Sequence, residues 1–196
     1  SPIMAHAEAE LDELLAYAGA LVLNIGTLDA AWIGAMEHAL AAARARALPV
    51  VLDPVGAGAS RLRTETALRL LERGGVTILR GNASEILALA GAAGTTKGVD
   101  STQSSDAARE AAHGLAVGCG CAVVVSGVID YCLDRTREVR VHNGAAMMAR
   151  ITGMGCTASA LCGAFAAVQP DALRAAVDAM ARMGVAGGLA LAASHG

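Results

Sequence analysis

Aromatic residues are almost missing from this chain of 196 residues: Tyr17, Trp32, Tyr131 and Phe165 are the whole set. A core without large rings must be built from Ala, Val, Leu and Ile, and small side chains fill space only where helices and sheet approach closely. An excess of one charge is missing too. Fifteen basic residues against 18 acidic ones give a net charge of −3. No basic run is interleaved with aromatics, which argues against a nucleic-acid partner. The five cysteines are Cys119, Cys121, Cys132, Cys156 and Cys162. Their odd number and irregular spacing argue against a disulfide scaffold and for a reducing, cytoplasmic compartment. Cys119 and Cys121 have no matching Cys/His pair of the kind a zinc site uses. The histidines are scattered, and there is no P-loop lysine pattern, protein-kinase signature or Gly-x-Ser-x-Gly elbow. No signal peptide is visible. The apolar stretches 155–168 and 172–193 are interrupted by Gly, polar or charged residues, so neither is expected to cross a membrane.

What is present is a chain that is 55% hydrophobic with 23 glycines. Such a chain buries enough apolar surface to fold, and no composition break divides it, so one domain over 1–196 is expected. Short apolar runs alternate with longer amphipathic stretches. Strands are expected at 20–24, 48–53, 76–79 and 122–125, and helices at 5–17, 29–46, 62–73, 83–90, 105–117, 155–168 and 170–193. Asp29 suits a cap or first-turn acid of its helix, and Pro170 the first turn of the last one. Residues 91–104, rich in Gly, Thr and Ser, read as loop. Ile129–Leu133 and Glu138–His142, split by Asp134-Arg135-Thr136-Arg137, read as a late hairpin. The alternation predicts an α/β fold: three αβα layers, a mainly parallel sheet and antiparallel strands at one edge.

Ligands of such sheets bind beyond the carboxyl ends of the strands. Asn24-Ile25-Gly26, Asp53-Pro54-Val55-Gly56, Arg80-Gly81-Asn82 and Ser126-Gly127 all fall there. Thr152-Gly153-Met154-Gly155-Cys156-Thr157 leads into an apolar helix. Its glycines and the helix N-terminus suit a phosphoryl group in transfer, or simply make a tight loop. Cys156 is either reactive or a space-filling thiol. Asn82 and Glu85 would either form a capping box or present Glu85 to a phosphate-bound Mg²⁺. Asp53 would bias a metal or cap its loop, Asn24 would orient a ligand or satisfy a turn, and Arg80 would pair a nucleotide phosphate or remain solvated.

Taken together, Ser1-Pro2-Ile3-Met4, Leu23-Asn24-Ile25-Gly26-Thr27, Asp53-Pro54-Val55-Gly56-Ala57, Arg80-Gly81-Asn82-Ala83-Ser84-Glu85, Lys97-Gly98-Val99-Asp100-Ser101 and Gly153-Met154-Gly155-Cys156 resemble the hydroxyethylthiazole kinase family. They stand in that family's order and cover nearly the whole chain. The wider ribokinase-like group usually carries Asp where this sequence and the family carry Cys156. The resemblance implies a ribokinase-like fold. It also implies ATP- and Mg²⁺-dependent phosphorylation of the hydroxyethyl group of 4-methyl-5-(2-hydroxyethyl)thiazole, a salvage step toward thiamine. It further implies a homotrimer with active sites between neighbours.

By position, the resemblance places Met4 and Gly153 on the substrate side, Arg80 and Ser126 at ATP, and Glu85 at Mg²⁺; the rim position of the others adds the expectation of Asn24 on the substrate side, Asn82 at ATP and Asp53 beside Glu85 at Mg²⁺. Gly153 and Gly155 would form the anion cradle, Cys156 would stand at the base position, and Lys97 would lie in a loop over the nucleotide. Ser126 stands where the family often has Thr, and Met154 where it usually has Ala. Members of the family extend further at both ends, with a strand and part of the thiazole site before Ser1 and a helix after Gly196. The rival readings are a hydroxymethylpyrimidine-type kinase, an ATP-dependent dehydratase on the same fold, and an inactive, truncated ligand-binding relative.

Overall fold

The computed structural model describes residues 2–5, 7–94 and 104–194. Lys97 and its neighbours, named above, lie outside the described residues. Among the described residues six strands form one sheet in the order β1-β2-β3-β4-β5-β6: β1 Leu21–Asn24, β2 Val50–Asp53, β3 Ile78–Asn82, β4 Ala122–Ser126, β5 Asp130–Leu133 and β6 Glu138–Val141. The pairs from β1 to β4 are parallel, and β4-β5 and β5-β6 are antiparallel, which places the hairpin at one edge as expected. Among the described residues seven α-helices accompany the sheet: α1 Leu11–Leu15, α2 Ala30–Ala45, α3 Arg61–Glu72, α4 Ala83–Ala92, α5 Ser104–Cys119, α6 Met154–Ala166 and α7 Ala172–Ala193.

Two separate cores show the three layers. On one face Leu23, Val50, Leu52, Leu79, Val123 and Val125 pack with α1 to α5. On the other, Val51, Ile78, Ala122 and Val124 pack with α6 and α7. Successive strand residues point to opposite faces, so each strand supplies both cores. Val50, Val51, Leu52, Ile78 and Leu79 are fully buried, each contributing on the order of 1.5–3 kcal/mol.

The scarcity of rings is met by close approach. A Cβ at Gly163 in α6 would lie 2.8 Å from Val22 on β1, so the glycine lets this helix settle directly on the sheet.

Three local expectations change. The first helical stretch is a 3-10 turn, Glu8–Glu10, followed by the short α1, because Tyr17 and the residues after it must turn into β1. Pro170 is not in the first turn of α7; Asp171 is the N-cap, accepting from the Arg174 N–H. A proline just ahead of that cap still suits a chain entering a helix. Ala172–Ala193 does have the length and apolar composition of a membrane-crossing helix. The first half of the helix, with Leu173, Ala176, Ala179 and Met180, is nonetheless buried in the second core. Asp29 caps α2 as expected, accepting from the Trp32 N–H at 2.7 Å.

Candidate active site

Strand register assembles the site. Asn24 stands opposite Asp53. The pairing of Leu52 with Leu79 makes Arg80 the next residue in the same row. All three side chains follow core residues of the α6 face at the two-residue period: Val22, Val51 and Ile78. Ser126, two residues beyond Val124 on β4, shares that face and pairs with Asn82. The sheet thus presents an amide, a carboxylate, a guanidinium and a hydroxyl at the carboxyl ends of its parallel strands.

Helix α6 closes over this row. Its N-cap, Gly153, has φ 85°, a left-handed conformation that glycine adopts without strain. The Thr157 N–H and hydroxyl both donate to the Gly153 carbonyl, at 2.9 and 3.0 Å. First-turn N–H groups, including those of Gly155 and Cys156, have no intrahelical acceptors, and the helix dipole adds positive character there. Ser159 lies three residues after Cys156 and therefore shares its helix face.

The Asn24 amide links sheet and helix. Its Oδ1 accepts from the Gly26 N–H at 2.8 Å. Its Nδ2 donates to Asp53 Oδ2 at 3.0 Å and to Cys156 Sγ at 3.3 Å. The buried Ser159 hydroxyl donates to the same Asp53 Oδ2 at 2.8 Å. Asp53 Oδ1 is buried and has no partner among the described residues. Burial pushes the Asp53 carboxyl above its usual range, and the nearby Glu85 adds to the rise. Ser159, Arg80 and Asn24 pull the other way.

Arg80 donates through Nη2 to the Ser126 hydroxyl, which itself donates to the Gly81 carbonyl. Arg80 Nη1 lies against Gly155, so the guanidinium bridges the end of β4 and the first turn of α6. The Arg80 Nε is buried without a partner among the described residues. Asp130, at the start of β5, accepts from the Gly127 N–H at 3.0 Å. Burial raises its carboxyl above the usual range, with Arg80 opposing.

Asn82 and Glu85 form a full capping box at the start of α4, with Glu85 N–H to Asn82 Oδ1 at 2.9 Å and Asn82 N–H to Glu85 Oε2 at 2.8 Å. Glu85 also accepts the Gly56 N–H on Oε1 at 2.9 Å. The capping alternative raised by the sequence is therefore realised. Among the described residues each Glu85 oxygen thus accepts one hydrogen bond and keeps a second lone pair.

The structure brings together Asn24, Asp53, Arg80, Ser126, Gly155 and Cys156 through these contacts, with Gly153 as the cap of α6, and Glu85 and Asn82 alongside. Met4 is not among them: it is 96% exposed and makes none of the contacts described above. Sequence reasoning missed Ser159 and Asp130. Ser159 was signalled only by its spacing from Cys156. Asp130 carried no local signal. Among the described residues no group of three or more His, Cys, Asp and Glu side chains is arranged to hold a metal ion alone.

Comparison with known proteins follows the same line. The profile of the hydroxyethylthiazole kinase family matches residues 1–196. The hydroxyethylthiazole kinase of Leptospira biflexa is 53% identical over 190 residues, covering 97% of this chain and 71% of its own length. That of Nitratidesulfovibrio vulgaris strain DP4 is 54% identical over all 196 residues, 73% of its own length. The solved hydroxyethylthiazole kinase protein from Pyrococcus horikoshii superimposes with a TM-score of 0.83 at 42% identity. The overlap covers 92% of this chain and 66% of that one, just under two thirds of its length. A pyridoxal kinase from Staphylococcus aureus, solved with AMP-PCP, matches with a TM-score of 0.66 at 20% identity over 88% of this chain; at that identity it speaks for the ribokinase-like αβα fold alone. Fold, profile and curated relatives agree, and the chain belongs to the hydroxyethylthiazole kinase family.

Proposed function

We propose that the protein transfers the γ-phosphoryl group of ATP to the hydroxyethyl group of 4-methyl-5-(2-hydroxyethyl)thiazole, in the salvage route to thiamine. The observation that carries this reading is the Asn24-Asp53-Arg80 row beneath the first turn of α6, with Cys156 Sγ 3.3 Å from the Asn24 amide. A phosphoryl group in flight needs positive partial charge on its equatorial oxygens and an aligned nucleophile. The Gly155 and Cys156 N–H groups and the Arg80 guanidinium would supply the first.

Cys156 and Asn24 would hold the substrate hydroxyl in line, and Cys156 Sγ would receive its proton. A thiolate is a weak base toward an alcohol, so that transfer belongs late in the reaction, when the oxygen has begun to bond to phosphorus. Met4 and Gly153 would line the thiazole side. Ser126, Arg80 and Asn82 would meet the nucleotide.

The residues present fit a Mg²⁺ ion held together with substrate phosphates, an arrangement that takes only one or two protein carboxylates. Asp53 Oδ1 is buried without a partner among the described residues, and among those residues each Glu85 oxygen accepts a single hydrogen bond. When bound, Mg²⁺ would offset the charge of the triphosphate. The same reading extends to a cytoplasmic homotrimer whose neighbours complete each thiazole site, which fits the outward-facing Met4 and is measurable by light scattering.

The deciding experiment incubates the protein with ATP and Mg²⁺ and either the thiazole alcohol or hydroxymethylpyrimidine, with products identified by mass spectrometry. A stable phosphate ester of the thiazole alcohol is expected. Transfer to the pyrimidine alone, an eliminated product, or thiazole binding without turnover would overturn the proposal.

A further inference from the structure

Arg63 lies outside the catalytic row, on α3, yet its guanidinium points back toward the site. Nη1 donates to the Ile25 carbonyl at 3.0 Å and to the Val55 carbonyl at 2.8 Å. Nη2 donates to the Gly26 carbonyl at 2.9 Å. One planar group therefore joins the loop after β1 to the loop after β2. The planar fork of an arginine can span such a set, which the single point of a lysine ammonium cannot.

Arg63 is itself held in place. Ser60 caps α3 by accepting the Arg63 N–H at 3.3 Å. The Gly58 N–H donates to Thr64 Oγ1 at 2.9 Å, fixing the loop to the same helix turn. Gly56 has φ 76°, and a Cβ there would come 3.0 Å from Arg63 Cδ. Glycine is thus required at 56 by its left-handed backbone and by the arginine stem that passes it.

The two loops joined by Arg63 are the ones that orient the site. Gly26 donates its N–H to Asn24 Oδ1, which fixes which end of the Asn24 amide faces Asp53 and Cys156. Gly56 donates its N–H to Glu85 Oε1. The peptide between Ile25 and Gly26 thus faces Arg63 through the Ile25 carbonyl and Asn24 through the Gly26 N–H. A shift in either loop would reach Asn24, Cys156 and Glu85 together.

We infer that Arg63 is a positioning residue: by clamping the Ile25, Gly26 and Val55 carbonyls it sets the loops that aim Asn24 at Cys156 and hold Glu85. The inference deepens the proposed kinase function and rests on it for its effect on turnover. Its geometric half, the orientation of Asn24 toward Cys156, can be read without any substrate.

The test compares the wild type with Arg63→Met, which keeps an apolar stem but removes every donor, and with Arg63→Lys. Thiazole phosphorylation gives kcat and KM. The rate at which iodoacetamide alkylates Cys156, followed by peptide mass spectrometry, gives a readout independent of activity, and Cys119 serves as the internal reference. For Arg63→Met, kcat should fall by about tenfold or more, while KM for ATP stays within about twofold, as expected when reacting groups are misaligned. Alkylation of Cys156 should slow several-fold on loss of the Asn24 N–H contact, with Cys119 unchanged. Arg63→Lys should lie between the two.

A folded Arg63→Met protein with wild-type kcat and wild-type Cys156 alkylation would overturn the inference, even with a lowered Tm, because Arg63 would then only stabilise the loops. If Arg63→Met does not fold, wild-type values of both readouts in Arg63→Lys overturn it. If the wild type itself makes no thiazole phosphate, the kinase reading fails, and the Cys156 alkylation rate alone decides whether Arg63 positions Asn24.

Discussion

Gly155 has no room for a side chain because the Arg80 guanidinium occupies the space: a Cβ there would stand 2.7 Å from Arg80 Nη1. The backbone at Gly155 is ordinary helix, so the requirement is spatial rather than conformational. Gly155→Ala would push aside the flexible end of Arg80 at little cost to the fold. Alanine is favoured over glycine in helices by up to about 1 kcal/mol, so Tm should hold or rise slightly. Turnover should nonetheless fall by roughly tenfold or more, because the displaced guanidinium leaves the anion cradle. Measured kcat and Tm that move in opposite directions would identify Arg80 placement as the role of this glycine. Wild-type turnover in Gly155→Ala would show that the close approach has no catalytic purpose.

Cys156 is exposed, and its recorded hydrogen bond is the one from Asn24. Replacing it with alanine removes no buried volume, so stability should be unchanged. A proton acceptor at this position predicts a loss in kcat of roughly 10²-fold, with KM for ATP preserved. If Cys156 only steers the hydroxyl, Cys156→Ser should restore most of the lost turnover. Unaltered kcat in Cys156→Ala would remove the thiol from the mechanism.

Thiol chemistry also separates the cysteines. The neighbouring Cys121 thiol lowers the Cys119 pKa below the ordinary thiol value, whereas the same neighbour and burial raise that of Cys121. Burial raises Cys132, and pushes Cys162 up to about 12. The thiolate is the reactive form. Iodoacetamide at neutral pH should therefore modify exposed Cys156 and half-buried Cys119, and spare Cys121, Cys132 and Cys162 until the protein is denatured. Cys121→Ala should slow labelling of Cys119, since the neighbouring thiol is gone. Equal labelling of all five cysteines in the native protein would contradict this arrangement.

Much of this organisation is legible in local sequence. Runs such as Val50-Val51-Leu52 and Val123-Val124-Val125 cannot be satisfied at a surface, so their strands, and the rim at their carboxyl ends, follow directly. Asn24, Asp53, Arg80 and Cys156 were found because they punctuate those runs and the last helices. Which alternative each residue adopts was not legible. Asn82 and Glu85 form a local capping box, but the further contact of Glu85 with the Gly56 N–H, 29 residues earlier, comes only with the fold. Ser159 reads as a small residue inside an apolar helix, and its meeting with Asp53, 106 residues away, is a product of packing. Arg63 looks like a surface charge until the loops after β1 and β2 are folded around it. Local pattern carries the layers, while long-range contacts assign the roles.

The C-terminal helix has an acid-sensitive start. Arg137 on the β5-β6 turn makes a bidentate pair with Asp171, at 2.6 and 2.9 Å, and Asp171 also accepts the Arg174 N–H as the N-cap of α7. These contacts, Arg137 first, hold the Asp171 carboxyl at about 2, below its ordinary value of 3.8. A carboxyl with a lower folded than unfolded pKa binds more protons when unfolded. Its contribution is therefore complete above the unfolded value and is lost as pH falls through the folded one. Asp171→Asn keeps a good cap but cannot ionise. Urea unfolding should show the wild type more stable than Asp171→Asn by a constant margin above about pH 5, vanishing toward about pH 2. Because both side chains are substantially exposed, added salt should narrow the margin. A margin that is independent of pH would mean that the ion pair adds nothing to the cap.

Gly163 decides how close α6, and with it Cys156, sits to the sheet. A Cβ at this position would come 2.8 Å from Val22 Cγ2 and 3.9 Å from Val51 Cγ2, both in the packed second core. Valine side chains on a sheet have little rotamer freedom, so the helix rather than the strand must give. Gly163→Ala should destabilise by about 1–3 kcal/mol despite the better helix propensity of alanine. It should also lower kcat, because tilting α6 away from β1 lengthens the Asn24-Cys156 contact at the other end of the same helix. Truncating the opposing side chain reopens the space: the double variant Gly163→Ala with Val22→Ala should recover both stability and turnover relative to Gly163→Ala alone. Residues in direct contact couple in this way and distant ones do not. Additive losses in the double variant would show that Gly163 and Val22 are not the contact that sets the height of α6.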